Sequence, residues 1–358
     1  MKLNVLRVFI VILGATSIVA QSAHRDLKKG ARHLRELVLV PPQITLTRVS
    51  LKGSEPMNTE SRELEVPLIL EIDAALRNLG YAVDYKTFSR PAMSSDADLR
   101  YTVDNLQKKF DTDLPILEKK SKGVRKGRFT LGDEVARLPL GDEVNALLFV
   151  RARGKVLTPN KKAFGTVVAG PSDDALVMDL ALVDAKSGEV LYFAKTKSSS
   201  ALGQDCEEIA RTIEKAFQEL PRAYAVKPSG KQPDPVAVKE APAAANAVAA
   251  ADVPTTSGPT SLRRVRVSHA VLRGMLSKAV PPKYPAIASM NLVHGDVLVR
   301  ILIDKDGKVM DAKPIGGPIE LYDASLKAVR QWRYRPITFN GEPLELEAEI
   351  TFTFNLGK

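Results

Sequence analysis

Cysteine, histidine and tryptophan are scarce in this chain, and each shortage removes a class of function. Cys206 is the one cysteine in 358 residues, so no intramolecular disulfide can form. It opens the run CEEIARTIEKAFQEL, in which Cys206, Ile209, Ile213, Phe217 and Leu220 recur at helical spacing. That pattern makes the thiol a buried small hydrophobe, with a reactive or intermolecular thiol as the alternative. The four histidines (His24, His33, His269, His294) make no H-E-x-x-H, and there is no G-x-S-x-G elbow, Walker loop or C-x-x-C pair. The usual hydrolase, nucleotide-binding and thiol-redox machinery is therefore missing. No cofactor or metal is expected, and a site of scattered carboxylates in the N-terminal half is the enzymatic alternative left. The net charge of +10 is dispersed, without a Lys/Arg stripe interleaved with aromatics. Nucleic acid is not an expected partner; anionic lipid or a cell-wall polymer suits the charge better.

Long apolar runs are missing too. The longest, Val8 to Ala23, follows the basic Lys2 and Arg7 and ends in small residues at Ala20 and Ala23. At about 1.5 Å per residue it spans about 24 Å as a helix, short of the ~30 Å hydrocarbon core. Residues 1–23 therefore read as a cleaved export signal, with the mature chain starting near Gln21 or His24 in the periplasm. If the signal is retained, it anchors the protein in the inner membrane. No cysteine follows the apolar run, which excludes a lipoprotein.

Aromatics vanish between residues 227 and 262, where Pro, Ala, Ser, Gly and Thr dominate. This stretch has no periodic bulky residues to bury and reads as a flexible, partly extended tether. It separates an N-terminal domain (24–226) from a C-terminal one (263–358).

The N-terminal domain alternates strand-like and helix-like segments. Leu37–Val40 is a strand stopped by Pro41 and Pro42, Glu63–Leu79 is largely helical, and Tyr81–Tyr85 is a short strand. Asp98–Lys120 is a charged-faced helix. Ala146–Ala152, Ala175–Val183 and Glu189–Ala194 are strands, the last two joined by a turn from Asp184 to Gly188. The class is α/β (α+β), here an α/β sandwich on a mixed sheet. The order NALLFVRARG, DDALVMDLALVDAKSGEVLYFA and a closing helix resembles the sheet-and-helix domains of CsgG- and LpoB-type envelope assembly proteins, a resemblance of fold only.

The C-terminal domain carries the informative patterns. Tyr284-Pro285 opens a short helix reaching Gly295; DVLVRILI follows as a strand, then a turn from Asp304 to Gly307 and a second strand. Leu321–Trp332 is an amphipathic helix that runs out in Trp332-Arg-Tyr334-Arg-Pro336. In the last strand, Leu344, Leu346, Ala348, Ile350, Phe352, Phe354 and Leu356 alternate with Glu345, Glu347, Glu349, Thr351, Thr353 and Asn355. One face is thus buried and one wet, and the three glutamates discourage indiscriminate edge pairing. Tyr284, Trp332 and Tyr334 read as packing residues and Arg263, Arg264 and Arg266 as a solvated strand margin. Asp304–Gly307 is a hairpin turn, because a calcium loop would need oxygen ligands where Lys308 and Ile315 stand.

These elements, in this order, resemble the TonB C-terminal domain family: Tyr284-Pro285, Gly295, Asp304 to Gly307, Trp332-x-Tyr334-x-Pro336 and a final strand Phe352–Leu356. The lead-in LRRVRVSHAVLRGMLSKAVPPKYP resembles that of some relatives. The resemblance implies a small antiparallel sheet with packed helices that binds extended segments at its final strand, here Glu349, Ile350, Thr351, Phe352, Thr353 and Phe354. It implies as partners an outer-membrane TonB-dependent receptor or another envelope protein, and inner-membrane motor proteins where the leader is an anchor. A full energy transducer has a longer apolar anchor carrying a histidine, with a long Pro-rich spacer directly after it. This chain departs on each count. Transmembrane transport is thus one expected role, and structural assembly of the envelope the other.

Overall fold

The computed structural model describes residues 17–158, 175–198, 206–223, 264–340 and 342–355. The leader up to residue 16 and the tether lie outside them. Among the described residues no helix is long and apolar enough to cross a membrane.

The N-terminal domain is built on β6 (Val144–Leu157). Along one edge β6 pairs antiparallel with β7 (Ala175–Asp184), which pairs with β8 (Val190–Ser198). Its other edge is shared in parallel by β2 (Glu36–Leu39) and β3 (Gln43–Ser50). Pro41 and Pro42 fall between those two strands, where neither has an N–H to offer a ladder. β5 (Ala82–Asp84) extends the sheet beyond β2, and β4 (Gly53–Pro56) turns back on β3. The expected mixed sheet is present.

Alternation along β6 assigns the two helical layers. Leu148, Val150 and Ala152 face the side packed by α3 (Glu65–Asn78) and α6 (Cys206–Ala216). Leu147 and Phe149 face α5 (Ala97–Lys119), where Phe110 lies 5.4 Å from Phe149, centroid to centroid. A strand buried on both faces needs apolar residues at every position, which is why this one reads as a nearly continuous run. Cys206 is buried on the inner face of α6 with Ile209 and Ile213. The smaller helices are α1 (Arg25–Lys28), α2 (Asn58–Glu63) and α4 (Arg90–Ser95).

Two features differ from the sequence reading. Ser17–Ala23, assigned above to the leader, is strand β1, paired antiparallel with β8 through Gln21↔Ala194 and Ala23↔Tyr192. A short run of β-branched and small residues suits a signal's exit and an edge strand equally, and here it lies along β8. β3 was not anticipated at all, since it buries Leu46 among half-exposed polar neighbours and so lacks a clear period.

The C-terminal domain has a four-stranded sheet ordered β12-β11-β16-β9. These are β9 (Arg264–Arg266), β11 (Gly295–Ile303), β12 (Val309–Gly316) and β16 (Glu345–Phe354). Helices α7 (His269–Met275), α8 (Ala286–Met290) and α9 (Tyr322–Val329) pack with it. The short pairs are β10 (Leu276–Lys278) with β13 (Arg333–Tyr334), and β14 (Thr338–Phe339) with β15 (Glu342–Pro343). The sheet is antiparallel as expected, except that β9 joins it in parallel.

The two domains touch. Val265, Val267, Val271 and Leu272 belong to the same apolar cluster as Ile69, Ile72 and Leu76 of α3. Glu71 of α3, 2% exposed, receives hydrogen bonds from Ser268 N–H at 2.8 Å and Ser268 Oγ at 2.7 Å. Composition alone gave no sign of this joint.

Candidate functional site

The final strand is bonded unequally on its two sides. β11 pairs with it without interruption from Gly295↔Phe354 to Ile303↔Leu346. On the other side β9 covers Glu345, Glu347 and the residue between them, and then leaves the sheet. On that side, from Glu349 to Phe354, no described strand lies alongside.

Register identifies the main-chain groups facing this gap. Val267 N–H donates to the Glu347 carbonyl at 3.0 Å, so Glu347 points its main-chain groups towards β9. Sides alternate along a strand, so Glu349, Thr351 and Thr353 point N–H and C=O the same way, beyond the end of β9. Ile350, Phe352 and Phe354 direct theirs to β11 and bury their side chains. The six residues expected at the edge thus divide into three that could bond a partner strand and three that hold the strand in place.

The expected motif residues form that support. The Trp332 ring lies 5.2 Å from Phe352 and its indole N–H donates to Val280 O at 2.8 Å. Tyr284 meets Phe354 edge-on at 5.5 Å, and its hydroxyl donates to Val293 O. Pro285 stands immediately before α8, and Gly295 opens β11 at φ +131°. Asp304 closes its hairpin by accepting from Asp306 N–H at 2.9 Å and Lys308 N–H at 2.8 Å. Gly307 has φ +80°, and a Cβ there would stand 2.0 Å from the Tyr334 carbonyl oxygen. Its own carbonyl accepts the Tyr334 N–H at 2.8 Å, which ties the hairpin to the Trp332–Pro336 segment. Tyr334 itself is buried, and burial pushes its hydroxyl pKa up.

The wet face is less forbidding than three glutamates suggest. Glu347 accepts from Arg266 at 2.7 Å, and Glu349 pairs with Arg300 at 2.8 Å. Glu345 is buried rather than exposed. Thr351 and Thr353 carry no charge, so the open stretch is close to neutral. Sequence reasoning read Arg264 and Arg266 as a strand margin but missed that this strand covers β16, although Arg264-Val265-Arg266-Val267 has the period-two alternation of a paired strand.

Residues 280–356 match the family model described as Gram-negative bacterial TonB protein C-terminal. Protein TonB of Vibrio cholerae serotype O1 is 29% identical over 84 residues, covering 23% of this chain and 34% of that protein. The match thus spans about a third of the curated relative's length. The solution structure of the Pseudomonas aeruginosa TonB C-terminal domain is 27% identical, covers 23% of this chain and 86% of that one, and has a TM-score of 0.21. The PelC dodecamer from Paraburkholderia phytofirmans is 11% identical, with a TM-score of 0.27, covering 59% of this chain and 100% of that one.

Proposed function

We propose that this chain, with its TonB-type C-terminal domain, is an exported envelope protein that binds an extended segment of another envelope protein by strand addition at Glu349–Phe354. The observation that carries the reading is the one-sided pairing of β16: its groups at Glu349, Thr351 and Thr353 face a side that no described strand occupies. Main-chain bonds along such an edge supply attraction, and side chains at alternate positions supply choice. The partner in this reading is an outer-membrane TonB-dependent receptor, and the role is in transmembrane transport. A second reading, an envelope scaffold without a transport role, is favoured by the folded α/β domain docked against the C-terminal one.

Peptides carrying receptor TonB-box sequences test this. Thr351→Pro or Thr353→Pro removes an N–H that faces the gap and leaves the β11 ladder its donors, so binding should be lost in a folded protein. Thr351→Ala keeps the main chain intact and should bind nearly as wild type. A folded proline variant that binds normally refutes strand addition here. If wild type binds none of the peptides, the scaffold reading replaces transport.

A further inference from the structure

The open edge of β16 is shorter than the strand because β9 occupies its first residues. β9 is a weak competitor by itself: three residues, paired in parallel, with Arg264 and Arg266 exposed and Val265 alone buried. Besides the Arg266–Glu347 pair at 2.7 Å, what holds it comes from the other domain. The chain leaves β9 through Val267 directly into Ser268, which is 1% exposed and whose N–H and hydroxyl both end on Glu71 of α3. The next main-chain N–H, that of His269, ends on Glu207 Oε1 of α6 at 2.6 Å. Ser268 Oγ also accepts from Val271 N–H at 3.4 Å, so the start of α7 is fixed in the same joint.

We propose that the N-terminal domain sets the length of the strand-accepting edge. Through Glu71 and Glu207 it clamps Ser268 and His269, and so pins β9 across Glu345–Glu347. Release of the clamp lets β9 leave and extends the accepting edge from Glu349 back to Glu345. The functional consequence rests on the strand-addition reading; the clamp itself does not. The partner that profits is a longer extended segment, one able to pair with Glu345 and Glu347 as well as Glu349, Thr351 and Thr353. Val267 N–H bonds the Glu347 carbonyl, so its protection reports β9 directly.

Hydrogen–deuterium exchange on the full chain tests the clamp without any partner. In Glu71→Ala, Ser268 loses both acceptors, and the Val267 and Glu347 amides should exchange roughly tenfold faster or more. Amides of Val299 and Ile301, in the strand paired on the far side of β16, should keep their wild-type rates. Ser268→Ala, which removes the hydroxyl's bonds to Glu71 and Val271 but keeps the main-chain bond to Glu71, should give a smaller rise at the same two amides. It decides the matter if Glu71→Ala fails to fold. Unchanged exchange at Val267 and Glu347 in a folded variant overturns the proposal. The TonB-box peptides form the second arm. Several-fold tighter binding of a long peptide to Glu71→Ala supports control of edge length, whereas equal binding despite faster exchange overturns it. If no peptide binds either protein, the strand-addition reading fails and the exchange rates still decide on the clamp.

Discussion

Glu71 offers a thermodynamic test of the domain joint. Its carboxyl is raised from 4.5 to about 7, first by burial and then by the charges of Glu207 and Glu214, while the two bonds from Ser268 pull the other way. A carboxyl with a raised folded-state pKa favours the folded protein in its neutral form. Its contribution is complete below about pH 4.5 and is lost as pH rises through about 7. Between pH 5 and pH 8 the expected loss is about 2 to 3 kcal/mol, integrating the two titrations. Glu71→Gln is the matching perturbation, because an amide imitates the neutral acid. Its carbonyl can accept the Ser268 N–H and its NH2 can donate to Ser268 Oγ. Urea unfolding of both proteins at pH 5, 6, 7 and 8 gives the comparison. Asp73, Glu118 and Asp179 also carry shifted carboxyls, but they are common to the two proteins and cancel in the difference. The stability of Glu71→Gln relative to wild type should grow with pH, by about 2 to 3 kcal/mol over the range. Parallel curves would refute the argument, since they would mean that Glu71 is no more shielded from water than it is in the unfolded chain.

Gly307→Ala forces a Cβ against the Tyr334 carbonyl at 2.0 Å from a backbone at φ +80°, so it should cost more than about 2 kcal/mol and lower the melting temperature by several degrees. Phe352→Ala removes a buried ring beneath Trp332 and should cost about 3–5 kcal/mol in chemical unfolding, whereas Thr351→Ala on the wet face should cost under about 0.5. Limited proteolysis should cut first between residues 227 and 239; because the domains are docked, the two pieces should co-elute on gel filtration at neutral pH, and separation at once would show the joint to be too weak to hold them. N-terminal mass spectrometry of envelope protein should find a start at or before Gln21, which keeps the residues paired with Ala194, Phe193 and Tyr192; a start at His24 would remove the strand beside β8 and leave Phe193 and Tyr192 without their neighbours.

What the sequence alone determined about this protein is whatever depends on local periodicity and on residues with one conformational use. The alternation from Leu344 to Asn355 assigned a buried and a wet face to β16, because side chains in a strand repeat every two residues wherever it lies. Asp304 and Gly307 gave the hairpin, since few residues accept φ +80° and few side chains close such a turn on their own main chain. The Cys206 helix and the strands around β6 were legible for the same reason. Pairing was not legible. Which strand lies beside which is settled by surfaces brought together from distant parts of the chain. Thus Ser17–Ala23 pairs with an edge that β8 offers, and Arg264–Arg266 closes the first three residues of an edge that the final strand alone left open. Glu71 marks the limit most clearly. In sequence it is one more acidic residue in an amphipathic helix; in the fold it is buried and receives two hydrogen bonds from Ser268, a residue 197 positions away, because apolar packing between the domains carries both into the same dry joint.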